Sequence, residues 1–157
     1  MSGFSLKQNL KEFFEVFLVL SQFIIILLHF IKFELFVELG KQQTNFLFEI
    51  IGYFIIVISL IVMSIAITEL GSNLSPFPRP KEKTKLITSG IYRFIRHPMY
   101  YSLILISFGV FLTKLTFYYL FLTITLIFII KSKIVIEDHY LNKKFSNYFL
   151  YKEKIKY

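Results

Sequence analysis

Apolar residues in this chain come in long blocks separated by short polar breaks, rather than at the period of a half-buried strand. After a mixed start over residues 1–15, with Lys7, Lys11, Glu12 and Glu15, the stretch from Val16 to Ile31 is apolar except for Ser21, Gln22 and His29. With Phe13, Phe14 and a continuation to Val37 it supplies the roughly 20 residues that a membrane-spanning helix needs. A signal peptide is the competing reading, but no small-residue cleavage site follows. His29 is expected to be an interfacial residue. The segment from Gly40 to Asn45 is a polar break, and Phe46 to Thr68 forms a second block. Its small residues Gly52, Ser59, Ser64 and Ala66 would let another helix approach closely. Glu49 and Glu69 mark its ends, and Glu69 is the one nearer the chemistry below.

The next stretch, residues 71–89, carries Pro76, Pro78 and Pro80, which exclude regular helix and favour extended backbone. It is either a stiff linker or a loop folded over a site; its length favours the second. Met99 to Leu112 and Leu115 to Ile130 are then apolar, with Thr113 and Lys114 between them. Two antiparallel helices fit if the first begins near His97 and the second runs on through Ile136. Lys131 and Lys133 would then snorkel to the lipid headgroups. A polar amphipathic tail, residues 137–157, ends the chain. The expected fold is all-α, an integral membrane bundle of about four transmembrane helices with a C-terminal hairpin and a cytosolic tail. It is a single domain made of a two-span region, residues 1–70, and a region of loop, hairpin and tail, residues 71–157.

Composition supports the membrane and narrows the chemistry. The 157 residues are 55% hydrophobic and 18% charged, against about 25% charged in soluble domains, and the mean hydropathy is +0.63. Absence of cysteine removes disulfides, thiolate metal sites and cysteine nucleophiles; no metal site is expected. The net charge of +8 flanks apolar runs without forming a face, which argues against nucleic acid as a partner. With four spans, only Lys32, Lys41 and Lys114 of the 18 lysines and arginines fall on the side opposite the N-terminus, loop and tail. The positive-inside bias places both termini in the cytoplasm. The partners expected are membrane lipids and a lipophilic substrate; oligomeric state is undetermined.

The densest polar cluster is the run from Gly90 to Tyr101, with Tyr92, Arg93, Arg96, His97, Tyr100 and Tyr101 immediately before an apolar block. Pro98 suits the first turn of a helix, where its missing N–H is not needed. The hairpin brings this cluster to the same membrane face as Glu137 and Asp138. With the turn centred near Thr113 and Lys114, the residue level with His97 is near Ile130. Glu137 then lies roughly 10 Å further along the helix, so direct contact between them is not guaranteed and a ligand could bridge them. Arginine holds carboxylate or phosphate, while aromatic faces and carboxylates hold sulfonium or ammonium. The alternative is that Arg93, Arg96 and His97 anchor to lipid phosphates and that Glu137 pairs with Lys133 or Lys144.

The segment LITSGIYRFIRHPMYYSLIL resembles the signature of the isoprenylcysteine carboxyl methyltransferase and phospholipid methyltransferase group of integral membrane enzymes. Gly90, Tyr92, Arg96, His97, Pro98 and Tyr100 match the pattern Gly-x-Tyr-x-x-x-Arg-His-Pro-x-Tyr. The segment NLSPFPRPKEKTKL is similar to a Pro-rich stretch found upstream in bacterial members. Glu137, Leu141, Phe145, Tyr148, Tyr151 and Lys152 match the later block. Asp138 stands in place of a usual second Glu, Ser102 in place of a frequent Gly, and the chain ends at Tyr157 where relatives often continue.

The resemblance implies methyl transfer dependent on S-adenosyl-L-methionine, at the cytosolic face of a multi-pass membrane protein, in a bacterial cell membrane, to an isoprenylcysteine-like carboxylate or a lipid. By it, Gly90, Tyr92, His97, Pro98, Tyr100 and Glu137 would hold the cofactor. Arg96 and Glu137 would order the pocket and orient the reactants. Two rivals are a membrane reductase of the sterol-reductase type, using a nicotinamide cofactor, and a non-catalytic membrane protein. Met99 argues against the first, since the corresponding reductase segment reads Arg-x-Pro-Asn-Tyr.

Overall fold

Helix α1 spans Ser2–Leu28, and its two faces differ in kind. Phe13, Phe17, Leu20, Ile24 and Leu27, at alternating spacings of four and three, lie exposed. Glu15, Leu18, Gln22 and Ile25, on the opposite face, are buried. An apolar face turned outwards and a partly polar face turned inwards is the arrangement of a helix in lipid, where polar groups join helices to one another. The computed structural model describes residues 2–31 and 45–155, with side chains from residue 8 onwards. The expected continuation to Val37 and most of the break between Gly40 and Asn45 lie outside the described residues.

Helix α2, Phe46–Leu70, starts where the Asn45 side chain accepts a hydrogen bond from Leu47 N–H, 3.0 Å. A 3₁₀ turn at Gly71–Asn73 closes it and the Pro-rich segment follows. A second 3₁₀ turn, Gly90–Arg93, leads to α3, Pro98–Lys114, with Pro98 as its first residue. Helix α4 spans Phe117–Lys144, and the short α5 spans Tyr148–Lys154. The hairpin turn is Leu115–Thr116, two residues later than the polar pair Thr113–Lys114 predicted. Leu115 takes the left-handed conformation, φ 44°, which a leucine adopts at a cost of about 1–2 kcal/mol.

Among the described residues, all regular structure is helical. Two stretches, residues 46–73 and 117–144, are long and apolar enough to cross a membrane. Helix α3 is apolar but has 17 residues, about 25 Å at 1.5 Å per residue, short of a hydrocarbon core of about 30 Å. Helix α1 carries Lys11, Glu12 and Glu15 in its N-terminal half.

Helices α2 and α3 approach through small residues. Gly52, Ser59 and Ala66, seven apart, are buried on α2; Ser102 and Gly109, also seven apart, are buried on α3. A Cβ added to Gly52 would lie 2.7 Å from the Gly109 carbonyl oxygen, and one added to Gly109 would lie 2.8 Å from that of Gly52. Backbone therefore touches backbone, which only glycine permits. Ser64, expected on this seam, is exposed and bonds back to Leu60 O. On the other side of the hairpin, Ile25 of α1 joins Tyr119, Leu122, Leu126 and Ile130 of α4 in an apolar core. His29 is not simply interfacial: its Nε2 lies 2.8 Å from Ser107 Oγ, which bonds Thr123 Oγ1 at 2.8 Å.

Candidate functional site

Three chain segments meet at one end of the hairpin because local rules bring each there. Gly90 has φ +57°, which opens the turn that redirects the chain after the Pro-rich segment. The space a Cβ would occupy is taken by the Glu69 carboxylate, 1.9 Å from the Cβ position. That carboxylate accepts the Ile91 N–H at 2.8 Å, and the Tyr92 hydroxyl donates to Ala66 O at 3.3 Å. The 3₁₀ turn is thus tied to the end of α2, and Arg96 and His97 leave it for the start of α3.

His97 is 5% exposed and stands between two carboxylates of α4. Its Nε2 is 2.9 Å from Asp138 Oδ1 and its Nδ1 3.9 Å from Glu137 Oε1. The expected gap between His97 and Glu137 is therefore absent. One reason is the later turn, and another is that His97, φ −128° and ψ 58°, precedes the helix and does not follow its path. Ser107 pairs with Thr123, Tyr100 lies against Lys133 and His97 meets Asp138, so the partners slip steadily along α4 towards the site.

Asp138, which sequence comparison treated only as a shorter substitute for glutamate, is the hub. Arg96 Nη1 donates to its Oδ2 at 3.0 Å and Lys152 Nζ to the same oxygen at 2.7 Å; the Tyr148 hydroxyl donates to Oδ1. Helix α5 is held down by these bonds and by the Tyr151 hydroxyl, which donates to Tyr92 O at 2.6 Å. Burial raises the phenol pKa of Tyr92, helped by Glu137 and Glu69, and that of Tyr148, helped by Asp138; burial pushes Tyr151 up to about 12. All three are hydroxyl donors at neutral pH. Burial disfavours the Arg96 cation, but the neighbouring Asp138 carboxylate prevails and its pKa rises.

A cavity of about 110 Å³ opens beside this cluster. Tyr92, Arg96, His97, Pro98, Tyr100 and Glu137 line it from the protein side, and Phe77, Pro78, Arg79, Pro80 and Thr84 of the Pro-rich segment form its roof. The Pro-rich stretch is a cover over a cavity rather than a linker. Gly90 is behind this wall, shaping the turn against Glu69. The His97 and Tyr100 rings stack at 5.8 Å and 28°. Arg96 Nε and Thr84 Oγ1 are buried and have no hydrogen-bond partner among the described residues.

Lys133 departs most from expectation. Instead of snorkelling it is 1% exposed; its ammonium donates to Gln22 Oε1 at 2.5 Å and Pro76 O at 2.9 Å and lies 5.3 Å from the centre of the Tyr100 ring. Lys144, the other suggested partner of Glu137, instead donates to the backbone oxygens of Lys81 and Glu82. No group of three or more metal-ligating side chains occurs among the described residues. Sequence reasoning missed Asp138, Lys133, Glu15 and Gln22 as organising residues. The spacing of Glu15, Gln22 and His29, seven apart on one helix face, was the available signal for the last two.

The model of a family described as phospholipid methyltransferase matches residues 47–148. No curated protein and no solved structure matches the chain.

Proposed function

Since this chain belongs to the phospholipid methyltransferase family, we propose that the covered cavity binds S-adenosyl-L-methionine and that the protein transfers its methyl group to a lipophilic acceptor. The observation that carries this reading is the meeting of His97, Tyr100 and Glu137, from two distant sequence blocks, on one cavity roofed by a Pro-rich loop. The lining suits that cofactor. Phe77, Leu86 and Ile87 offer apolar surface for a purine, and Tyr92 and Tyr100 with Glu137 offer aromatic and anionic surface for a sulfonium. Arg96, with a buried Nε still free to donate, suits a carboxylate.

When bound, S-adenosyl-L-methionine supplies a methyl group already activated by its sulfonium. The protein's task is then positioning and exclusion of water. Asp138 fixes the Arg96 guanidinium and the His97 ring, so neither has to reorganise when reactants arrive. The roof keeps solvent from the reacting atoms. The acceptor reaches the cavity from the bilayer, and the lysine and arginine bias puts the site and both termini on the cytoplasmic side of a multi-pass membrane protein.

Calorimetric titration of the detergent-purified protein with S-adenosylmethionine and S-adenosylhomocysteine tests the reading. Saturable binding of both is expected, and no binding by folded protein would overturn it. Incubating membranes with methyl-labelled cofactor then identifies the acceptor, whether prenylated carboxylate or lipid.

A further inference from the structure

The polar face of α1 is joined to the rest of the molecule at three places seven residues apart. Two of them grip the roof of the cavity. Glu15, 5% exposed, accepts a hydrogen bond from the Tyr140 hydroxyl at 2.5 Å and lies 3.5 Å from Arg79 Nη2. Arg79 Nη1 also pairs with Glu12 at 3.2 Å, and its guanidinium sits over the Tyr140 ring at 5.5 Å. Two turns further in, Lys133 bridges Gln22 and the Pro76 carbonyl. The third place, His29 to Ser107, joins α1 to the hairpin and touches nothing in the roof.

A lysine inside a membrane helix costs about 2.5–3.5 kcal/mol on insertion scales, and such residues seldom persist without a role. Among the described residues no carboxylate lies within salt-bridge distance of Lys133; its ammonium is solvated by two oxygens, one from α1 and one from the roof. The Pro-rich segment's own hydrogen bonds, such as Asn73 to Lys85 and Lys81 Nζ to Ser72 O, close the loop on itself and do not tie it to α1 or α4. Its attachment to α1 and α4 must come from Arg79, from Pro76 O and from Lys144, which holds the Lys81 and Glu82 carbonyls.

We propose that α1 is a clamp for the roof: Glu15, Gln22, Arg79 and Lys133 are positioning residues that hold the Pro-rich loop closed over the cavity. All of α1 lies outside the residues matched to the family, 47–148. The clamp's effect on catalysis rests on the methyltransferase reading; its effect on the roof does not.

The chain has no cysteine, so Thr84→Cys supplies a single reporter thiol in the roof, at a hydroxyl that is buried and has no bond to lose. Maleimide labelling of the detergent-purified protein is expected to be slow in this parent. It should quicken at least tenfold on adding Gln22→Leu or Arg79→Gln, and stay within twofold with Gln22→Glu or Arg79→Lys, which keep the contacts. His29→Phe, in the same seam but away from the roof, should lower the melting temperature without quickening labelling. Labelling at the parent rate in folded Gln22→Leu and Arg79→Gln proteins would overturn the clamp, as would equal quickening by His29→Phe. Affinity for S-adenosylhomocysteine, measured on the same variants, separates the two claims. Faster labelling with a tenfold loss of affinity supports both; faster labelling in a protein whose parent never bound the ligand keeps the clamp and refutes the methyltransferase reading.

Discussion

The two ends of helix α3 are held by opposite physics. Towards its C-terminal end, at Gly109, it meets Gly52 of α2 with backbone against backbone. Nothing there can do chemistry, and dispersion at close range is the whole attraction. At His97 the same helix begins in a knot of carboxylates, a guanidinium, an ammonium and a phenol, centred on Asp138. The first end can be damaged by adding one atom, because close-packed backbone has nowhere to go. The second end borders a cavity, so it has room for added volume, and its bonds depend on charge. Stability and function are thereby separated along one helix, and substitutions at the two ends should fail in different ways.

The largest effect is expected from Gly109→Leu. Even its Cβ would collide with α2 backbone, and the rest of the leucine side chain has no space between two backbones already in contact, so α2 and α3 would have to part. The variant should aggregate or lose its cooperative melting transition in detergent, read by light scattering during a thermal ramp. Asp138→Ala comes next: it strands Arg96, His97 and Lys152 together, and removing one member of a buried ionic cluster costs about 3–5 kcal/mol. Its affinity for S-adenosylhomocysteine should fall below detection by calorimetry, with helix content retained in circular dichroism. His97→Ala and Glu137→Ala should each weaken that affinity at least tenfold while keeping a cooperative melting transition. His29→Ala should reverse the pattern, losing about 1 kcal/mol of stability with the hydrogen bond to Ser107, with affinity within threefold. The smallest effect belongs to Glu69→Gln, whose amide oxygen can still accept from Ile91 N–H. Near-parent affinity there, against a clear loss for Glu69→Ala, would show that Glu69 shapes the turn at Gly90 without needing its charge. If His97→Ala and Gly109→Leu failed alike, the separation of the two ends would be wrong.

How much of this was legible beforehand differs by region, for identifiable reasons. The apolar blocks marked α2 and the hairpin because lipid demands uninterrupted apolar length, a property of consecutive residues. Pro98 announced a helix start through its own covalent chemistry, whereas Asn45, read only as part of a polar break, caps α2. Gly52, Ser59 and Ala66 stood out as small residues at helical spacing, and Ser64 was grouped with them only because residue type does not reveal azimuth. The inward turn of Lys133 was hidden. In sequence it is a lysine near a helix end, and snorkelling is the ordinary outcome unless oxygens from distant segments solvate it.

The sequence by itself determined a membrane protein with a polar cluster at Gly90–Tyr101 and a second one at Glu137, because those are statements about neighbours in the chain. Only the tertiary structure decided that His97 and Asp138 touch, that the Pro-rich loop covers the cavity, and that α1 reaches it through Glu15 and Gln22. Those facts depend on a turn displaced by two residues and on a non-helical residue at a helix start. Each shifts the register of everything beyond it by several ångströms, and a hydrogen bond is formed or lost within less than one.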